Sequence, residues 1–212
     1  YVRVNMFDAA DIVNVSTKFG VTLSDLYFST ESVLYGLETT NIRKFDLSSG
    51  QMTEPLVKDV VTLRLYGQSD LAYVQHTTNQ FTVGVAVDGK TQTVNTYDDV
   101  APVQIALGKY YSDRYLAVTR GSSFELIKQP EKTANDGMRR VATLTYHSSL
   151  NWLGISPKGR FVIAGNGAQF MTYDIELAAR TEANFPTLLT DVTVKPQWID
   201  DTTLVSTGDN KL

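Results

Sequence analysis

The chain has 212 residues, 42% of them apolar, 20% charged and 10% aromatic, with a formal net charge of −4 and no cysteine. That length and apolar content suffice for a substantial buried core, and the lack of cysteine excludes disulfides, thiolate catalysis and cysteine-held zinc. Basic residues are scattered, densest in "MRR" (138–140) and "IRK" (42–44), so no connected positive patch is present to follow a nucleic-acid backbone or an anionic membrane surface.

In chain order, "YVRVNMFDAADIVNVSTKFG" (1–20) has room for a middle and an outer strand, with "MFDAADIV" (6–13) competing as a helix-like stretch. From residue 21 one order of elements repeats: a strand, a turn, a continuous apolar run, then a more alternating strand. "VTLSDLYFSTE" (21–31) leads into "SVLYGL" (32–37) and "NIRKFDLSSG" (41–50). "VVTLRLYGQSD" (60–70) leads into "DLAYVQ" (70–75), "QFTVGVAVDG" (80–89) and a polar edge strand, "TQTVNTYD" (91–98). The third set is "PVQIALGKYYSD" (102–113), "RYLAVT" (114–119) and "SFELIKQPEK" (123–132). In the fourth, "LNWLGISPKG" (150–159) precedes "RFVIAG" (160–165) and "AQFMTYDIEL" (168–177). "DIELAARTEANF" (174–185) keeps no apolar face beyond about two helical turns; it reads as the end of a middle strand followed by a loop with a single helical turn. "VTVKPQWIDD" (192–201) and "TTLVST" (202–207) begin a fifth set.

The second apolar positions of the five core runs are Leu34, Ala72, Leu116, Val162 and Leu204, separated by 38, 44, 46 and 42 residues. A near-constant step of this size, filled by strands, predicts an all-β β-propeller of about five four-stranded blades, with strand order inner, core, middle, outer. The blade units are expected near 21–58, 59–100, 101–148, 149–190 and 191–212, with 1–20 a partial blade, all within one propeller domain or a fragment of one spanning 1–212. The first and last blades are incomplete. The chain therefore reads as a piece of a longer protein, and residues 1–20 are expected to pair with 191–212 to complete the fifth blade.

"LNWLGISPKGRFVIAGNGAQFMTYDIE" (150–176) resembles the repeat of WD40-like and TolB-like bacterial propellers, in which an "SPDG" turn precedes the core strand and a middle strand ends in "YD" or "FD". Lys158 stands where that turn carries Asp, and the other units keep the turn less faithfully, as "STES", "GQSD", "YYSD" and "IDDT". "GVTLSDLYFSTESVLYGLE" followed by "KFDLSSG" is also similar to the propellers of bacterial surface proteins bearing PEGA-type domains. The resemblance spans about residues 21–212. It implies an extracytoplasmic or cell-surface binding module, with any membrane anchor outside this segment. Propellers host many unrelated functions, so the fold leaves the ligand open.

Catalytic parts are scarce. "GISPKG" is not a nucleophile elbow, and Ser156 is better read as the start of a turn. His76 and His147 are the chain's only histidines and lack ligand-spaced company, so no metal site and no cofactor is expected. "AGNGAQ" (164–169) has no helix after it to cradle a phosphate. Asp200-Asp201 occupies the place of "SPKG" and reads as turn chemistry, whereas Asp98-Asp99 falls between an outer and an inner strand. Asn14-Val15-Ser16 has the spacing of a glycosylation acceptor. The strand-borne aromatics read as core, with Trp152 or Trp198 a channel-lining exception. In the blade register, His76, Arg120, Asn166 and Asp209 follow core strands and Asp98, Asp99 and His147 follow outer strands, two loop types that open onto one face. These seven residues are the expected binding face for a protein or glycan. The competing reading is a five-bladed glycoside hydrolase with an acidic pair at the channel mouth.

Overall fold

A computed structural model describes residues 2–5, 8–87, 89–98, 101–129, 139–166, 169–184 and 197–205. They fall into two compact units, residues 1–97 and 98–212.

The first unit opens with an antiparallel pair, β1 (Val2–Asn5) and β2 (Asp8–Asn14), and a short helix, α1 (Val15–Phe19). The helix-like 6–13 stretch is therefore extended from Asp8, and helix begins only where β2 ends. Asn14, the glycosylation-type residue, caps that helix by accepting the Thr17 N–H at 3.1 Å, and Gly20 ends it with φ +65°. Two antiparallel meanders follow. One is β3 (Leu23–Phe28), β4 (Val33–Glu38), β5 (Asn41–Asp46) and β6 (Gln51–Met52); the other is β7 (Val60–Tyr66), β8 (Asp70–Thr77), β9 (Gln80–Val87) and β10 (Lys90–Asp98). Val15, fully buried, and Phe19, edge-on to Phe45 at 5.1 Å, cover one side of the first meander. Its other side packs on the second meander through Tyr35, Leu37, Ile42, Leu63, Leu71 and Tyr73.

The second unit repeats the construction. β11 (Val103–Tyr110), β12 (Asp113–Arg120), β13 (Ser123–Gln129) and β14 (Arg139–Thr145) form one meander. β15 (Trp152–Ile155), β16 (Phe161–Gly165), β17 (Gln169–Asp174) and β18 (Ala179–Asn184) form the next, followed by the pair β19 (Gln197–Trp198) and β20 (Leu204–Val205). Each four-stranded sheet runs in sequence order, and sheet packs on sheet within the unit. This is the β-propeller construction that the repeat predicts, inner, core, middle and outer strand in turn.

The repeat has a physical cause. Core strands lie between two neighbours and are buried on both faces, so they read as unbroken apolar runs rather than alternating ones. Leu34, Ala72, Leu116 and Val162 are at most 3% exposed. Two of the middle strands, β5 and β17, end on Asp for a different reason. Asp46 Oδ1 accepts the N–H groups of Ser48 (2.8 Å) and Ser49 (3.1 Å), and Asp174 Oδ1 accepts those of Glu176 (2.9 Å) and Leu177 (3.2 Å). The carboxylate thus fixes the turn into the outer strand. Asp88, at the matching place in "VDG", lies outside the described residues.

The reading of 174–185 needs correction. Ala179–Asn184 is an outer strand, paired with β17 from Asp174↔Ala179 to Gln169↔Asn184. Residues 179–181 are exposed, so this strand carries no apolar alternation by which to recognise it.

Asp174 gives a pH test. Burial pushes its carboxyl up, but the Arg160 guanidinium, 2.8 Å away, and the turn N–H groups outweigh that and hold it below the ordinary value of 3.8. A depressed folded-state pKa stabilises the protein above the unfolded value, and that stabilisation fades as pH falls through the folded one. Asp174→Asn is expected to lower stability at neutral pH by about 1 kcal/mol. It should also flatten the decline below about pH 4, read from urea midpoints across pH. An unchanged acid limb would count against the ion pair.

Candidate functional site

Asp99 and Asp209 lie outside the described residues; the other five expected face residues are placed. His76 is near the end of β8 in the first unit. Its ring stacks on Phe81 with centroids 4.4 Å apart and an interplanar angle of 19°, and its backbone N–H donates to the Asp59 carbonyl at 2.9 Å. Asp59, His76, Thr77 and Thr78 line an open depression of about 420 Å³. Asp59 holds φ +59°, a conformation that Asp and Asn tolerate better than most residues. One acid, one imidazole and two hydroxyls in an open bowl suit a polar side chain of a partner better than an enclosed apolar ligand.

In the second unit the structure brings the expected residues together in two pairs. Arg120, last in β12, donates from Nη1 at 3.4 Å to the carbonyl of Asp98, the first residue of the second unit. His147 Nε2 is hydrogen-bonded to Gln169 Oε1, and Gln169 is locked to Asn166 by the Gln169 N–H to Asn166 Oδ1 (3.0 Å) and the Asn166 N–H to the Gln169 carbonyl (2.9 Å). Asn166 Nδ2 donates to Ser148 Oγ at 2.7 Å, and the Trp152 indole N–H donates to the Asn166 carbonyl at 3.1 Å. Trp152 is buried, so its polar edge serves this network. These bonds tie the loop before β15 to the turn after β16. The loop backbone is tied down too, Leu150 N–H to the Gly121 carbonyl and Tyr146 N–H to that of Ser122, both at 2.8 Å.

Sequence reasoning missed a polar cluster on the inner strands of the first unit. The Tyr27 hydroxyl lies 3.0 Å from Asp25 Oδ2 and 2.9 Å from the Leu63 carbonyl, and Arg64 Nη1 donates to Tyr27 Oη (3.2 Å) and the Leu63 carbonyl (2.7 Å). Burial, opposed by Arg64 and aided by Asp25, raises the Tyr27 pKa. The cluster stitches β3 to β7. Period-2 spacing of Asp25 and Tyr27 was the available signal, since i and i+2 share a strand face.

Asp200 behaves as a turn residue, whereas Asp201 bonds to a different turn, that of Lys158. Asp200 Oδ1 accepts the Thr202 N–H at 2.7 Å, and Asp201 Oδ1 accepts the Lys158 N–H at 2.8 Å. Ser156 is buried and its Oγ accepts the Phe161 N–H at 3.1 Å, closing the turn that the sequence assigned to it. Among the described residues, no three His, Asp or Glu side chains gather as a metal site, and no helix is long and apolar enough to cross a membrane.

No known protein-family profile matches the chain, and no curated protein matches it. Among solved structures it is similar to U3-55K, at 13% identity over 76% of this chain and 51% of that one, with a TM-score of 0.52. A chain of a mitotic checkpoint complex matches at 12% identity over 86% of this chain and 61% of its own, with a TM-score of 0.49. Kluyvelomyces marxianus Hsv2 matches at 14% over 76% and 50%, with a TM-score of 0.48. The chain spans half to about three fifths of the length of these structures. At such identities the likeness speaks to the fold alone, and the fold is a β-propeller.

Proposed function

We propose that the chain is a non-catalytic binding or scaffold module that contacts a protein through the loops after its core and outer strands. The observation that carries this is the bonded state of those loops. His147, Asn166, Gln169, Ser148 and Trp152 fix one another, leaving a rigid polar display with little ordering to lose on association. A glycan is the second ligand class that such a display suits.

The hydrolase alternative needs a carboxyl kept protonated to act as acid. Among the described residues three carboxyls shift clearly, and all three shift down. Asp46 is lowered by the Ser49 and Ser48 N–H groups, Asp200 by the Thr202 N–H, and Asp174 by Arg160 and its turn against the effect of burial. Each is held as an anion, the opposite of a proton donor.

Arg120→Glu and His76→Ala are expected to reduce capture of specific proteins by about tenfold in a quantitative comparison with the parent chain. Equal capture, or turnover of a glycan panel by the parent, would reverse the reading. The resemblance to propellers of bacterial surface proteins supports a place outside the cytoplasm. Protease treatment of intact cells should then remove the protein, and full protection would refute that location.

A further inference from the structure

The opposite end of the second unit carries features that this reading does not use. Tyr111 is 82% exposed, Leu177 68% and Ile199 65%, the three most exposed large apolar side chains among the described residues. Tyr111 is in the turn between β11 and β12, Leu177 in the turn between β17 and β18, and Ile199 in the turn between β19 and β20. In a meander, inner-to-core and middle-to-outer turns share one end of the sheet. All three therefore project at the end away from Arg120, His147 and Asn166.

None of the three hangs on a loose loop. Tyr111 sits at φ +51°, a left-handed conformation that is a genuine outlier for a bulky residue, and its ring packs on Tyr110 at 4.5 Å. Leu177 donates its N–H to Asp174 Oδ1 at 3.2 Å, and Ile199 donates its own to the Thr203 carbonyl at 2.9 Å. The turns are also bonded to one another. The Gly159 turn lies against the backbone of Lys109 and Tyr110, Arg160 pairs with Glu176 at 2.9 Å, and the Lys158 N–H reaches Asp201. Exposed apolar groups fixed in advance are what an interface anchor requires.

We propose that Tyr111, Leu177 and Ile199 form a second docking surface, whose occupant is a short extended peptide of another protein with apolar anchors beside a carboxylate. Size argues for a peptide over a second copy of this chain. Three such side chains offer on the order of 400 Å² of apolar surface, about half of the ~800 Å² per partner of a stable protein interface. The carboxylate follows from charge. Asp174 and Glu176 face Arg160, Asp113 faces Lys128, and Asp200 and Asp201 accept turn N–H groups. The Lys158 ammonium, on the turn between β15 and β16, has no hydrogen-bond or ion-pair partner among the described residues.

The test is selection from a phage-displayed library of random short peptides on the full 212-residue chain, with affinities of the enriched peptides then measured by fluorescence polarisation. Enriched peptides should pair apolar side chains with Asp or Glu. They should bind about tenfold more weakly to Tyr111→Ser or Leu177→Ser, lose affinity on Lys158→Glu, and bind Arg120→Glu unchanged. The substituted side chains are exposed, so an unaltered circular dichroism melt separates loss of docking from loss of fold. No enrichment, peptides without acids, or binding indifferent to Tyr111 and Leu177 would overturn the proposal. A concentration-dependent dimer abolished by Tyr111→Ser would overturn it in favour of self-association. Sensitivity to Arg120→Glu alone would leave the polar face standing and remove this one.

Discussion

Phe124→Ala is expected to lower the stability of the second unit by about 3–5 kcal/mol, read as a shift in urea midpoint. Phe124 is fully buried in β13 and sits where two sheets meet. On its own sheet it shares a cluster with Tyr115, Ala117 and Leu126; from the next come Leu153, Val162, Ala164, Met171 and Tyr173. The Tyr173 ring is 6.2 Å from that of Phe124, within the range of a favourable aromatic pair. Removing the ring opens a cavity whose walls are strands held by backbone ladders on both sides, so they cannot close in to fill it. Phe28→Ala deletes the same atoms from a side chain 49% exposed and is expected to cost below about 1 kcal/mol. Comparable losses at the two sites would mean that the sheets do not pack through Phe124.

The core was legible because burial on both faces writes itself into composition. "SVLYGL", "DLAYVQ", "RYLAVT" and "RFVIAG" each fall on the second strand of a sheet, β4, β8, β12 and β16. Turn chemistry was legible too: Asp46 and Asp174 recur because one carboxylate can satisfy two N–H groups that nothing else reaches. The outer strand β18 was not, since an edge in contact with water imposes no pattern on either face. On the candidate face, position was readable but partnership was not. The register places Asn166 and His147 at the same end of their strands, yet Gln169, which joins them, carries no signal of its own. Tyr111, Leu177 and Ile199 were hidden for a related reason: a turn aromatic and a buried one look alike until exposure is known.

Gly159→Ala is expected to lower stability by about 2–3 kcal/mol, and Gly67→Ala by only about 1. Both glycines sit in the turn from an inner to a core strand, and both need positive φ, +80° at Gly159 and +63° at Gly67. An alanine at either position meets the same backbone penalty. Their surroundings differ. A Cβ at Gly67 would have nothing within 4 Å, whereas at Gly159 it would fall on the Lys109 carbonyl oxygen and lie 3.0 Å from Tyr110 N. Those are backbone atoms of β11, held by the ladder to β12, so they cannot rotate aside as a side chain would. The glycine in "SPKG" is thus there for two reasons, the turn itself and the contact of that turn with the neighbouring sheet. The second is absent at Gly67. Urea unfolding of the two variants separates these contributions. Equal losses would mean that the Gly159 turn does not bear on β11, and that the near approach of the two sheets at this end is wrong.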